Sequence, residues 1–202
     1  MNIAHNRQTG FNVTTKPANR ARTARGFSVV ELVVVLAIIL VLSSIAIPSL
    51  QSSLRTYRIS SAASSLSALL QRARFEAIRH NTLISVRTAV VAGDTVVYVD
   101  LKGNSIFDPT DPAVTQTTDI QFIAAGGSVP GPASTGFPTA VTPAWPIIFD
   151  ARGALNTPAA IPAICYLGNP AGPNVFYSAV TVSQMGQIKA WTAPAGGSWS
   201  MR

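Results

Sequence analysis

The sequence predicts an α+β protein: a long N-terminal helix, transmembrane in its first half, packed by its second half on an antiparallel β-sheet head. Three observations carry that prediction. Residues Val29 to Ile47 form a run of nineteen that is apolar apart from Glu31, Ser43 and Ser44. The stretch after Pro48, to about His80, holds no Gly or Pro and is rich in Ala, Leu, Ser and Arg. Beyond Asn81 come short β-branched and aromatic runs separated by turn residues.

Four segments follow in order: a leader over 1–26, a membrane-spanning helix over 27–48, an amphipathic continuation over 49–81 and a β-rich head over 82–202. The leader is basic. Arg7, Lys16, Arg20, Arg22 and Arg25 precede Gly26 and no acid does, whereas from Phe27 onward ten basic and eight acidic residues leave +2 of the formal +7. The high pI therefore reports a basic tail, which reads as a cytoplasmic topology signal rather than as a nucleic-acid surface. The leader does not follow the secretory-signal pattern. It has no apolar core, and its small residue, Gly26, stands before the greasy run instead of after it.

As a helix, Val29–Ile47 would extend about 28 Å, close to the thickness of a bilayer core. Nineteen residues is long for a buried helix of a soluble protein. Glu31 is the anomaly, because a lone carboxylate in hydrocarbon costs several kcal/mol unless paired or protonated. After Pro48, which can kink a helix, the apolar positions change side. Leu50, Leu54 and Tyr57 share one face, while Ala62, Leu66, Leu69, Ala73 and Ala77 share another. The first face suits a bundle of helices and the second suits docking on the head. His80 is expected as a cation at the helix C-terminus.

The expected strands are 82–88, 95–100, 119–124, 146–150, 163–168, 176–183 and 186–191. The Pro/Gly/Ser-rich stretch 125–146 reads as a long loop. Cys165 is the only cysteine, so no intrachain disulfide can form; it is expected as a small buried hydrophobe. Asp100, Asn104, Asp108 and Asp111 could offer oxygen ligands to Ca²⁺. Their spacing does not match a calcium-binding helix-loop-helix, and Asp and Asn are ordinary turn formers. No metal or other cofactor is expected, and no cluster of His, Cys or Ser suggests catalysis.

The segment "RGFSVVELVVVLAIILVLSSIAIP" resembles the leader junction and N-terminal helix of type IV pilins and type II secretion pseudopilins. The matching positions are Gly26, the hydrophobic Phe27, Glu31 as the fifth residue after Gly26, and Pro48. In the head, "VVYVDLKGNSIFDPTD" (96–111), "IIFDARG" (147–153) and "AVTVSQMGQIKAW" (179–191) resemble turns of the GspH/FimT branch of that family. The resemblance implies cleavage between Gly26 and Phe27 by a prepilin peptidase and methylation of the new Phe27 amine. It also implies pairing of Glu31 with the N-terminus of a neighbouring subunit, which turns the cost of the carboxylate into a reason to assemble.

The resemblance implies a minor pseudopilin or minor pilin, a structural subunit and not an enzyme, with other pilins or pseudopilins as partners. It would sit in the inner membrane as a single-pass protein, N-terminus cytoplasmic and head periplasmic. The alternative is a DNA-binding minor pilin of the FimT type. There the family carries a G-R-x-R arrangement where this chain reads Gly186, Gln187, Ile188, Lys189. One arginine becomes glutamine and the other lysine, which loses the bidentate fork. Arg152, Lys189 and Arg202 would have to gather to make a DNA site, and DNA is not the favoured partner.

Overall fold

The computed structural model describes residues 26–116, 120–123, 145–156, 163–168, 176–194 and 196–202. Residues 1–25 of the leader, most of the 125–146 stretch and part of the 119–124 strand lie outside the described residues. The chain divides into two compact units, Met1–Ser44 and Ile45–Arg202.

Helix α1 runs from Val29 to His80 and is helical at Pro48. Its end is fixed by Asn81, whose φ of 49° is the left-handed conformation Asn tolerates. The Asn81 N–H donates to the Ile78 carbonyl at 3.3 Å and the Thr82 N–H to the Ala77 carbonyl at 3.2 Å, the paired bonds of a Schellman cap. Arg79 and His80 sit in the last turn, where a cation is favourable, and Glu76 lies 2.9 Å from Arg79 and 3.5 Å from His80.

In the first unit, α1 is apolar on every side and exposed on every side, with Ser43 alone half-buried. The length and composition suffice to cross a membrane. In the second unit one stripe of α1 is buried: Ile59, Ala63, Leu66, Leu69, Leu70, Ala73 and Ala77. These recur at spacings of three and four, which bring side chains to one face. The expected docking face is therefore right in direction and incomplete. Ala62 is only half-buried and Ile59, Ala63 and Leu70 join it. Leu50, Leu54 and Tyr57 remain exposed.

The head holds two antiparallel sheets. The first contains β1 (Ile84–Val91), β2 (Asp94–Asp100), β3 (Ala113–Gln116) and β5 (Ile147–Phe149) in the order β3-β2-β1-β5. The second contains β4 (Gln121–Ile123), β6 (Ala163–Gly168), β7 (Phe176–Val182), β8 (Ile188–Pro194) and β9 (Ser200–Met201) in the order β4-β6-β7-β8-β9. Side chains alternate across each strand. Ile84, Val86, Val97, Val99, Ile147 and Phe149 from the first sheet, with Cys165, Leu167, Val180 and Val182 from the second, join the buried helix stripe in one core. The opposite face of the second sheet forms its own cluster, in which Ile164, Tyr166, Tyr177, Trp191 and Trp199 are buried.

The strands begin and end somewhat differently from the sequence expectation. β1 reaches Val91 because Val91 pairs with Asp94 across a two-residue turn, with Ala92 at φ 53° and Gly93 at φ 94°. Such a turn normally announces itself as Asn-Gly or Asp-Gly, and Ala-Gly does not. β3 and β9 carry no sequence expectation. Four residues after a proline and two residues near the last position are too short to show a period.

Candidate functional site

Gly26 and Phe27 precede the first helical turn. A Cβ at Gly26 would meet nothing within 4 Å, and Phe27 is exposed. The helix begins with the Leu32 N–H donating to the Ser28 carbonyl at 3.1 Å. Glu31 lies in the first turn and is exposed. It stands four residues from Phe27, one helical turn or about 6 Å of rise. An amine on Phe27 would be within one turn of it.

In the head, the three turns singled out in the sequence have structural reasons. Asp150 follows β5 and caps its own turn: its carboxylate accepts the N–H of Arg152 at 2.9 Å and of Ala154 at 2.8 Å. Those bonds, the Ala154 amide first, then the Arg152 guanidinium, hold its acid below the usual carboxylate range. Ser183 caps the β7–β8 hairpin by accepting the Gln187 N–H on its hydroxyl at 3.0 Å. The two turns are joined by the Leu155 N–H, which donates to the Gln184 carbonyl at 3.0 Å.

Gly153 and Gly186 face one another at this junction. Both are in the left-handed region, at φ 75° and 71°. A Cβ on Gly186 would lie 1.8 Å from the Gly153 carbonyl oxygen, and one on Gly153 would lie 2.7 Å from Ile78 Cδ1. Arg74 of α1 reaches into the same junction, its Nε–H donating to the Gly153 carbonyl at 3.0 Å. The sequence pattern gives Arg74 no role at this junction, because a helix arginine beside a buried stripe looks like a solvated flank.

The 101–111 loop is also self-contained. The Asp100 carboxylate accepts the N–H groups of Asn104 at 3.1 Å and Ser105 at 2.8 Å. Asp111 accepts the Asp108 N–H at 3.0 Å, and Asp108 pairs with Lys102 and accepts the Thr110 N–H at 3.0 Å. The acids thus serve the turn's own amides, and no cluster with the make-up of a metal site occurs among the described residues.

The three cations weighed for DNA are used separately. Arg152 pairs with Asp150 at 3.1 Å. The Arg202 guanidinium donates to the Ser60 carbonyl at 3.3 Å and to the Ser60 and Ser64 hydroxyls. Lys189 is opposite Thr181, on the face of the second sheet away from α1, while Ala190, whose carbonyl accepts the Arg202 N–H at 3.1 Å, points to the α1 side. Lys189 and Arg202 therefore occupy opposite faces. Cys165 is fully buried, and burial pushes its thiol up to about 12.

Residues 62–186, more than half of the chain, match the family described as type II transport protein GspH. Residues 21–47 match the prokaryotic N-terminal methylation motif. The chain is 38% identical over 88 residues to the pilin-like protein PilA1 of Thermus thermophilus, which is 43% of this chain and 55% of that protein. It thus spans about half the length of that curated relative. No solved structure matches it. The chain belongs to the GspH family of type IV pilin-like pseudopilins.

Proposed function

We propose that the chain is a minor pseudopilin or minor pilin, a structural subunit that a prepilin peptidase cuts between Gly26 and Phe27 and whose Phe27 amine is then methylated. Residues 27–48 hold it in the inner membrane, with the N-terminus cytoplasmic and the head periplasmic. The observation that carries the reading is the apolar stretch of α1, exposed all round, with Glu31 as its one charge and Gly26–Phe27 just before it. A peptidase can fit closely around a glycine because it has no side chain. A helix apolar on all sides needs lipid or other helices around it. Glu31 then pairs with the Phe27 amine of a neighbour, so that burial of the carboxylate is offset only in the assembly.

Two measurements test this. Mass spectrometry of the membrane form should find a methylated Phe27 as the first residue; an intact Met1 in cells that contain the peptidase would end the processing reading. Glu31→Ala should leave cleavage and membrane insertion in place and reduce cross-linking to partner subunits several-fold. Unchanged cross-linking would remove the pairing role.

A further inference from the structure

We infer that the groove beside Arg74 receives an acidic side chain, Asp or Glu, from a neighbouring filament subunit of different sequence. The inference rests on the filament-subunit reading and adds to it one surface by which the head meets its neighbour. The groove holds about 180 Å³ and is lined by Gln71, Arg74 and Phe75 of α1 with Gln187 and Ile188 of the β7–β8 hairpin. A water takes about 30 Å³ of liquid, so the space takes a side chain and not a strand or a helix.

Arg74 is set into this groove by the fold. It is half-buried, and its Nε–H donates to the Gly153 carbonyl at 3.0 Å. A Cβ on Gly153 or on Gly186 would lie 3.0 Å from Arg74 Nε, so two residues without side chains leave the room that the guanidinium occupies. Its terminal nitrogens have no partner among the described residues. Asp150, the acid of the same turn, already serves the Arg152 and Ala154 amides and the Arg152 guanidinium. A guanidinium with both terminal nitrogens open presents parallel N–H groups, which match the two oxygens of a carboxylate. It is oriented before the partner arrives, so little side-chain freedom is lost on binding.

The surroundings favour a protein carboxylate over a free anion or DNA. Phe75 is 65% exposed, and Met185, two residues before Gln187, is 79% exposed. Apolar side chains beside one oriented arginine are the make-up of a contact between proteins. A free anion would leave them in water. DNA binding draws on several cations, and Lys189, next to Ile188, points to the other face of the second sheet. A minor subunit is scarce in its filament, so the chain beside it has a different sequence.

The test uses the full chain in membranes of cells that process it, treated with a carbodiimide, which joins an amine to a carboxylate in contact with it. Arg74→Lys supplies the amine. It should give an adduct absent from the parent and from Arg72→Lys, in which mass spectrometry finds position 74 joined to an Asp or Glu of another chain that carries an N-terminal methylation motif. Gln187→Glu in the same chain should reduce that adduct several-fold, because the groove then holds its own carboxylate. Changing the identified acid to Arg should lower co-purification with the parent several-fold and regain it with Arg74→Glu. Gln187 is exposed and its side chain is outside the Gly153 bond, so its variant decides the matter if Arg74→Glu fails to fold. No adduct, an adduct to a second copy, or one within the Arg74→Lys chain itself overturns the inference. So does retention of duplex DNA by the parent that Gln187→Glu abolishes, which would assign the groove to nucleic acid. Leu50→Cys reports helix contacts in parallel: helix cross-links to other subunits without the adduct refute the groove contact and leave the filament reading standing. Absence of both refutes both.

Discussion

Two stretches of α1 make an informative contrast. Val29–Ser44 and Ile59–Ala77 are both helix, and both are rich in aliphatic residues. The first is apolar on every side and buries none of it among the described residues; the second buries one stripe of seven residues and places Arg, Ser and Gln elsewhere. Local propensity does not separate them. The angular distribution of apolar side chains does, since a stripe can be satisfied by one head whereas an all-round surface requires lipid or other helices. The contrast assigns folding to the second stretch and leaves the first for lipid or other helices, as the proposed function requires.

Perturbing the head should test that division most strongly through Gly186→Ala. The new Cβ would sit 1.8 Å from a backbone oxygen at a φ of 71°, where neither group can move aside cheaply. The expected loss is about 3 kcal/mol or more, from overpacking and left-handed strain together. Chemical denaturation of the full chain in detergent, followed by tryptophan fluorescence, measures it. Gly153→Ala should cost less, because the atoms it meets belong to the Ile78 and Arg74 side chains and not to backbone. Equal losses would mean that the two glycines do not form the junction described.

A matched pair of truncations applies the contrast to the helix itself. Leu66 is fully buried, and Leu66→Ala should destabilise the head by about 3 kcal/mol through lost burial and a cavity. Leu36 is 51% exposed, so Leu36→Ala should leave head unfolding unchanged. A shift of comparable size in both variants would show that the helix acts as one cooperative piece and would dissolve the comparison.

Cys165 reports the same core kinetically. Its thiol is buried and pushed up to about 12, so almost no thiolate exists near neutrality. Alkylation should be undetectable in the native chain and appear in step with unfolding. Fast labelling of the native chain would place Cys165 outside the core.

Most of this division is legible in the sequence, and the failures have physical causes. The apolar run and its acid are visible because a membrane segment is specified by composition alone. The docking stripe is found through Leu66, Leu69, Ala73 and Ala77, whereas Ile59 and Leu70 depend on how both sheets wrap the helix. β6 is recovered residue for residue, since a short β-branched and aromatic run flanked by turn residues has few other uses. β3, β9 and the Ala92–Gly93 turn are set by pairing with distant strands. Gly153 and Gly186 could be placed by resemblance, but their mutual contact and the role of Arg74 exist only once the two turns meet.

The smallest expected effect lies in the 101–111 loop, far from either helix stretch in function. The hydrogen bond from Lys102, then those from the Thr110 amide and hydroxyl, hold the Asp108 acid well below its ordinary 3.8. The same pair, through that hydrogen bond first, raises Lys102 above its ordinary 10.5. A lowered acid stabilises the fold above its unfolded value, and that contribution is lost as pH falls below 3.8 toward the folded value. A raised lysine contributes below 10.5 and loses it as pH rises further. Between the two limits the contribution is flat, and solvent screening keeps it small because the pair is exposed. Thermal unfolding of the parent and of Asp108→Asn should therefore differ by a small, constant amount across the neutral range and converge in strong acid. A gap that widens as the pH falls would mean that Asp108 is not held by Lys102, and the loop would then need another explanation for its order.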